Sequence, residues 1–290
     1  MDAEQWRARG KWASFGGRRL FYVDTGGDKP VLAILHGYPT SSYDYWRALP
    51  RLAERHRVVV HDHLGFGFSA KPLDYSYSLF EQADHAIMLW QSLGITEADV
   101  VGHDYGTSIS TELIARRNLG VEPITFRSLT LCNGSMHIEM AKLRVVQRLL
   151  KTPRIGEVLA KLASEPLFRR NIRNVFADKS FLDDQEIHEM YEQMMGDGGR
   201  DVAAAIIRYI DERWKFWHRW IGALRATHDL PVHIVWARED PVAVEQMAHV
   251  LHDEIPSSDL RLLDGVGHFP MIEAAERWSD AVLDGIAPAR

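Results

Sequence analysis

The chain has 290 residues, 46% hydrophobic and 26% charged, which suits one large or two ordinary globular domains and excludes a disordered tail or a small stapled fold. Its 34 basic and 40 acidic residues leave a net charge of −6, and it has one cysteine, Cys132; this argues against a nucleic-acid platform and a disulfide framework and leads us to expect a cytoplasmic location. The opening residues, MDAEQWRARGKW, lack the apolar core of a signal peptide, and no run approaches the roughly eighteen apolar residues of a membrane span. Along the chain, β-branched runs predict strands at 19–23, 31–35, 57–61, 99–101 and 128–131. Segments of helical period lie between them, at 79–93 and 108–117 among others. Such alternation implies βαβ units and a mostly parallel sheet. Residues 135–227 then read as helix after helix, before strands return at 232–236 and 260–263. The simplest organisation is an α/β core (1–134 and 228–290) with a helical lid (135–227) over the carboxyl ends of the strands, where open sheets bind ligands.

The most informative segment is Gly102-His103-Asp104-Tyr105-Gly106. It joins a strand to a helix in the frame G-x-nucleophile-x-G, a tight elbow that lifts the central side chain above the sheet. The following helix turns its free N–H groups towards negative charge. His36-Gly37-Tyr38-Pro39 closes an earlier strand, and Asp62-His63-Leu64-Gly65-Phe66-Gly67-Phe68-Ser69 follows the next. Asp240, in Arg238-Glu239-Asp240-Pro241, and His268, in Gly265-Val266-Gly267-His268-Phe269-Pro270, come after the last two predicted strands.

Together these segments resemble the α/β-hydrolase fold family over nearly the whole chain, in its branch with aspartate at the elbow, which contains epoxide hydrolases and haloalkane dehalogenases. The stretches HGYPTSSYDY, DHLGFGFSAKP, FEQAD, HDYG and YIDERWKFWHRWIGAL are similar to the subgroup of the mesoderm-specific transcript protein and its bacterial relatives. The resemblance implies a mostly parallel eight-stranded sheet flanked by helices, with the helical lid inserted after the sixth strand. It further implies Asp104 as nucleophile, His268 as base and Asp240 as its acid. The backbone N–H groups of Tyr38 and Tyr105 would form the oxyanion hole.

An aspartate is ionised at neutral pH, its reference pKa being about 3.9. On an ester carbonyl it would form an anhydride; on a saturated carbon it forms a stable alkyl ester, which His268-activated water then hydrolyses. The position after the preceding strand reads Cys132-Asn133-Gly134, and an amide supplies no charge, so Asp240 is preferred as the acid, with Glu239 behind it. Haloalkane dehalogenases carry a tryptophan after the nucleophile, often with an asparagine in the oxyanion loop; here those places hold Tyr105 and Tyr38. Lid tyrosines serve epoxide hydrolases as proton donors, and Tyr209 and Tyr191 are the candidates, with Trp217 and His36 as further substrate contacts.

The leading expectation is therefore a hydrolase opening an epoxide to a vicinal diol, with a small apolar organic substrate and water as reactants. It needs neither cofactor nor metal, nucleic acid is not a partner, and the protein is a monomer or homodimer. Haloalkane dehalogenase is the first alternative, and a non-catalytic ligand-binding protein on the same fold is the second. Ile210, Trp214, Trp217, Ile221 and Leu224 recur at helical spacing as a lid stripe facing the core. The basic run 142–161, interleaved with leucine and valine, reads as an amphipathic lid helix before it reads as a membrane or partner surface. His61 and His63 lack a second ligand cluster for a metal.

Overall fold

Runs such as Val31–Leu35 (VLAIL) and Val232–Ala237 (VHIVWA) show no polar alternation, as expected of strands covered on both faces. In the computed structural model, which describes residues 1–286, they are interior strands of an eight-stranded sheet, each paired on both sides. The strands are β1 (Lys11–Phe15), β2 (Arg18–Asp24), β3 (Val31–Leu35), β4 (Arg57–His61), β5 (Glu97–His103), β6 (Thr125–Cys132), β7 (Val232–Ala237) and β8 (Ser258–Leu263). Their order is β1-β2-β4-β3-β5-β6-β7-β8. The pairs β1/β2 and β2/β4 are antiparallel and the rest parallel. Helices Leu79–Ser92, Tyr105–Asn118, Glu245–Glu254 and Ala275–Gly285 flank the sheet.

Strand β1 has no counterpart among the runs read from the sequence. Its residues, KWASF, are half-exposed or exposed at the sheet edge, so no hydrophobic signal marks them. The Gly16-Gly17 pair, with both φ angles positive, is the two-residue hairpin turn that announces it.

Between β6 and β7 lie seven α-helices: Val145–Leu150, Ile155–Lys161, Glu165–Arg173, Asp184–Met195, Gly199–Ile206, Tyr209–Lys215 and Trp217–Arg225. Two differ from the sequence reading. The expected helix over 142–161 is broken in two at Pro153, which lacks the N–H a continuous helix requires, and Arg154 takes φ +64. The expected stripe is interrupted at Phe216. Ile210, Ile221 and Leu224 stay buried while Trp214 turns outward, and Trp220 packs inward instead.

A buried carboxylate ties the lid to the core. Glu112, on the helix that follows β5, accepts hydrogen bonds from Arg219 Nε (2.8 Å), Arg219 Nη2 (2.9 Å) and Trp220 Nε1 (2.9 Å) of the lid, and from Arg116 Nε (2.9 Å). Burial alone would raise its pKa, but the Arg219, Trp220 and Arg116 hydrogen bonds carry it below the ordinary carboxylate value. Its contribution to stability is therefore complete above about pH 4.5 and is lost as pH falls through the lowered folded value. We expect Glu112→Gln, which takes the anion from Arg219 and leaves Arg116 with Asp84 alone, to cost about 2 kcal/mol in urea unfolding at pH 7, and to flatten the acid side of the stability profile.

Candidate active site

Asp104 is the single residue between the end of β5 and the start of the Tyr105–Asn118 helix. So abrupt a turn forces it to φ +42, ψ −103, a strained conformation for a side chain with a Cβ. Neighbouring backbone holds it there: its N–H donates to Cys132 O (3.2 Å), and Thr107 N–H donates to its carbonyl (3.1 Å). The helix can press this close to β3 because residue 106 is glycine. A Cβ at that position would lie 2.0 Å from Leu35 O.

The two oxygens of the Asp104 carboxylate differ. Oδ2 accepts the Tyr38 N–H at 3.0 Å. The Tyr105 N–H, first in its helix, has no intrahelical acceptor and lies on the same turn. Oδ1 sits 3.7 Å from Nη2 of Arg213, a fully buried cation that also donates to Asp104 O (2.8 Å) and to Ser108 Oγ (2.6 Å). Its guanidinium lies 4.6 Å from the centre of the Tyr209 ring.

His268 and Asp240 meet in the loops after β8 and β7. His268 Nδ1–H donates to Asp240 Oδ2 at 2.6 Å. The Asp240 carboxylate is fully held, by Asn133 Nδ2 (2.9 Å) on Oδ2 and by the N–H groups of Val242 (2.7 Å) and Ala243 (3.0 Å) on Oδ1. Burial alone would lower the His268 pKa, but the Asp240 charge and hydrogen bond, with Asp104 beyond, raise it above 6.5. From the sheet side, His103 Nε2–H donates to the His268 carbonyl (2.7 Å). Burial, with His268 beside it, lowers His103 to about 4, so it stays neutral.

Asp104, His268 and Tyr38 open into a cavity of 380 Å3 under the lid, whose remaining wall is chiefly apolar, for example Leu150, Phe168 and Val175. Four expected substrate contacts lie outside its wall. Tyr209 is buried behind Tyr38 and Tyr105, ring centres 5.8 and 4.9 Å away. Tyr191 donates to Ala163 O (3.1 Å) and receives Arg200. Trp217 donates to Glu139 (2.8 Å) on the outer side of the lid. His36 is fully buried, its Nδ1–H on Gly37 O (2.8 Å) and its Nε2 accepting His63 N–H (3.1 Å), so it fixes two loops instead of touching substrate. The phenol of Tyr105 is buried as well, leaving Tyr38 as the tyrosine in the cavity wall.

A family profile described as alpha/beta hydrolase fold matches residues 30–275. The chain belongs to that family. It is 37% identical over 283 residues to the putative hydrolase LipZ of Mycobacterium tuberculosis, covering 97% of each chain. It is 33% identical over 278 residues to the human mesoderm-specific transcript homolog protein, covering 92% of this chain and 83% of that one. Among solved structures, the haloalkane dehalogenase DbeA-M1 loop variant of Bradyrhizobium elkanii superposes with TM-score 0.80 at 22% identity, covering 96% and 95%. The epoxide hydrolase CorEH does so with TM-score 0.79 at 18%, covering 97% and 99%. At those identities the two structures speak for the fold. No helix of this α/β hydrolase is long and apolar enough to cross a membrane among the described residues.

Three residues of the site escaped the sequence reading. Arg213 stands three residues after Ile210 in the lid stripe, and a cation amid apolar positions was the available signal. Asn133 was set aside because an amide carries no charge, yet it braces the aspartate that does. Nothing in the sequence marks His103 beyond its place before Asp104. The His268–Asp240 pair stabilises this α/β hydrolase fully below about pH 6.5, and its contribution fades as pH rises through the raised His268 value. In Asp240→Asn, burial remains and the counter-charge goes, so we expect the His268 imidazole resonances to titrate below pH 6.5. A value still above it would assign the upward shift to Asp104.

Proposed function

We propose that this hydrolase opens an epoxide to a vicinal diol through a covalent alkyl ester on Asp104. What carries the reading is the division of labour within one carboxylate. Oδ2 is engaged by the Tyr38 N–H at 3.0 Å, while no donor lies within hydrogen-bonding distance of Oδ1 among the described residues, its nearest cation being 3.7 Å away. An anion held by one oxygen and exposed at the other in an apolar cavity is a preorganised nucleophile.

The choice of epoxide rests on the phenol beside it. Burial, and after it the Asp104 carboxylate, push the Tyr38 pKa well above its ordinary value, so the group keeps its proton. Asp104 Oδ1 attacks the less hindered ring carbon, the C–O bond opens, and the oxygen takes the Tyr38 proton. Tyr209, packed behind at a tilt and likewise raised by burial and Asp104, orients that ring. Water then attacks the ester carbonyl carbon while His268 takes its proton. The charge that develops on the former Oδ2 meets the Tyr38 and Tyr105 N–H groups. As the ester bond breaks, His268 returns its proton to the departing alkoxide, and the new carboxylic acid gives its proton to the Tyr38 phenolate. Epoxide and water are consumed, and diol and the starting enzyme remain.

Arg213 acts in opposite senses on the two steps, holding the carboxylate in its charged form before attack and favouring the hydrolysis that restores it. It is the cation at Asp104, and the ester intermediate leaves it buried without a counter-charge, a state relieved by hydrolysis.

In His268→Gln the second step should stall, so incubation with epoxides should add the substrate's mass to the protein and peptide mapping should locate it on Asp104. An alkyl-halide adduct with halide release would move the substrate class and keep the nucleophile; an adduct on a serine would end the proposal. Tyr38→Phe retains its backbone N–H and loses the phenol, so kcat on an epoxide should fall about 100-fold, with adduct formation slowed before hydrolysis.

A further inference from the structure

The two helices either side of Pro153 leave their apolar residues unburied. Val145 and Leu149 stand one turn apart on Val145–Leu150. Ile155 and Val158 share a face of Ile155–Lys161 with Leu162 just beyond, and Leu167 follows. Their exposure runs from 44% at Leu149 to 70% at Val145 and Leu162. These are six of the thirteen large hydrophobic residues that the described chain exposes, gathered within 145–167, so the feature is a patch and not scatter. Four of them, Val145, Leu149, Leu162 and Leu167, also line the cavity. The patch is therefore the rim of its mouth.

The charge around this rim is opposite to that of the molecule. Residues 142–170 hold eight basic side chains and two acidic ones, in a chain of net charge −6. Lys151 and Arg169 are paired with carboxylates. Lys142, Arg148, Arg154, Lys161 and Arg170 are exposed, and none of these five has a carboxylate within ion-pairing distance among the described residues. Arg148 and Lys161 each lie three residues beyond an exposed valine, Val145 and Val158, and so on the same helical face.

We propose that this face of the lid docks on an anionic lipid bilayer, with the cavity mouth set against the acyl boundary. Apolar side chains ringed by unpaired cations are the composition that lies in a membrane interface, and each cation near an anionic leaflet adds attraction that salt removes. A neutral or basic partner finds no complement there, and the acidic remainder of the chain is kept off the leaflet, which sets the orientation. The inference concerns delivery and is independent of the chemistry proposed for Asp104.

Co-sedimentation with vesicles tests it, using phosphatidylcholine alone and phosphatidylcholine mixed with phosphatidylglycerol. The protein should bind the mixed vesicles, bind the neutral ones far less, and be released by salt. Arg148→Glu/Lys161→Glu and Ile155→Ser/Val158→Ser alter residues outside the cavity wall, so each variant should keep the wild-type circular dichroism and Tm. Each should weaken binding to the mixed vesicles by about tenfold or more. Failure of the wild-type protein to bind, or equal binding by both variants, would overturn the proposal. So would a dimer in light scattering that Ile155→Ser/Val158→Ser dissociates, since a second copy would then cover the face.

Discussion

The site depends on one backbone junction. At Asp104 a parallel strand becomes a helix within one residue, at φ +42, and the strain is borne by the packing on both sides. Glycine at 106 lets the helix lie against Leu35 O, and Cys132 O receives the Asp104 N–H. The same contacts that impose the turn also aim the side chain. The loop after β3 brings the Tyr38 N–H to Oδ2, and the loops after β7 and β8 bring Asp240 and His268 together at 2.6 Å. Function-bearing groups here belong to strand ends, and the sheet register that positions those ends is fixed by the core.

Charge balance then joins core to lid. Asp104 belongs to the core and Arg213 to the lid, and each compensates the other where both are buried. Glu112, two turns along the helix from the elbow, repeats the arrangement with Arg219 and Trp220. Both contacts come from the last two lid helices, so the C-terminal part of the lid is held by polar bonds. Its opening helices, from Val145 to Lys161, present apolar residues to the outside.

Most of the sheet was legible because its strands are covered on both faces and read as unbroken apolar runs. β1 was not, because an edge strand with one covered face has no such run, and only the Gly16-Gly17 turn betrays it. In the site, Asp104, Asp240 and His268 could be singled out because each follows a strand, and loops at strand ends need no knowledge of helix orientation. The lid residues required that knowledge. Tyr209 and Trp217 sit on short helices whose break at Phe216 resets which face meets the core, and Tyr191 on Asp184–Met195 turns its hydroxyl to Ala163 O. His36 was misread for another reason: a strand-end position does not say whether a ring turns to the cavity or, as here, to two backbone groups. Arg213 went unseen because arginine usually marks a wetted surface, and its burial makes sense only beside an anion that sequence does not locate.

The placement of Arg213 also bears on how molecules reach the interior. Swinging the last two lid helices away would pull a guanidinium from the Asp104 carboxylate and take Arg219 and Trp220 from Glu112, breaking both polar ties at once. That end of the roof is in effect bolted. The cavity reaches the other end, where the helices flanking Pro153 are short and carry exposed apolar side chains. The roof is thus built in two halves, one tied through polar bonds to Asp104 and Glu112, the other bearing the apolar side chains at the cavity's edge.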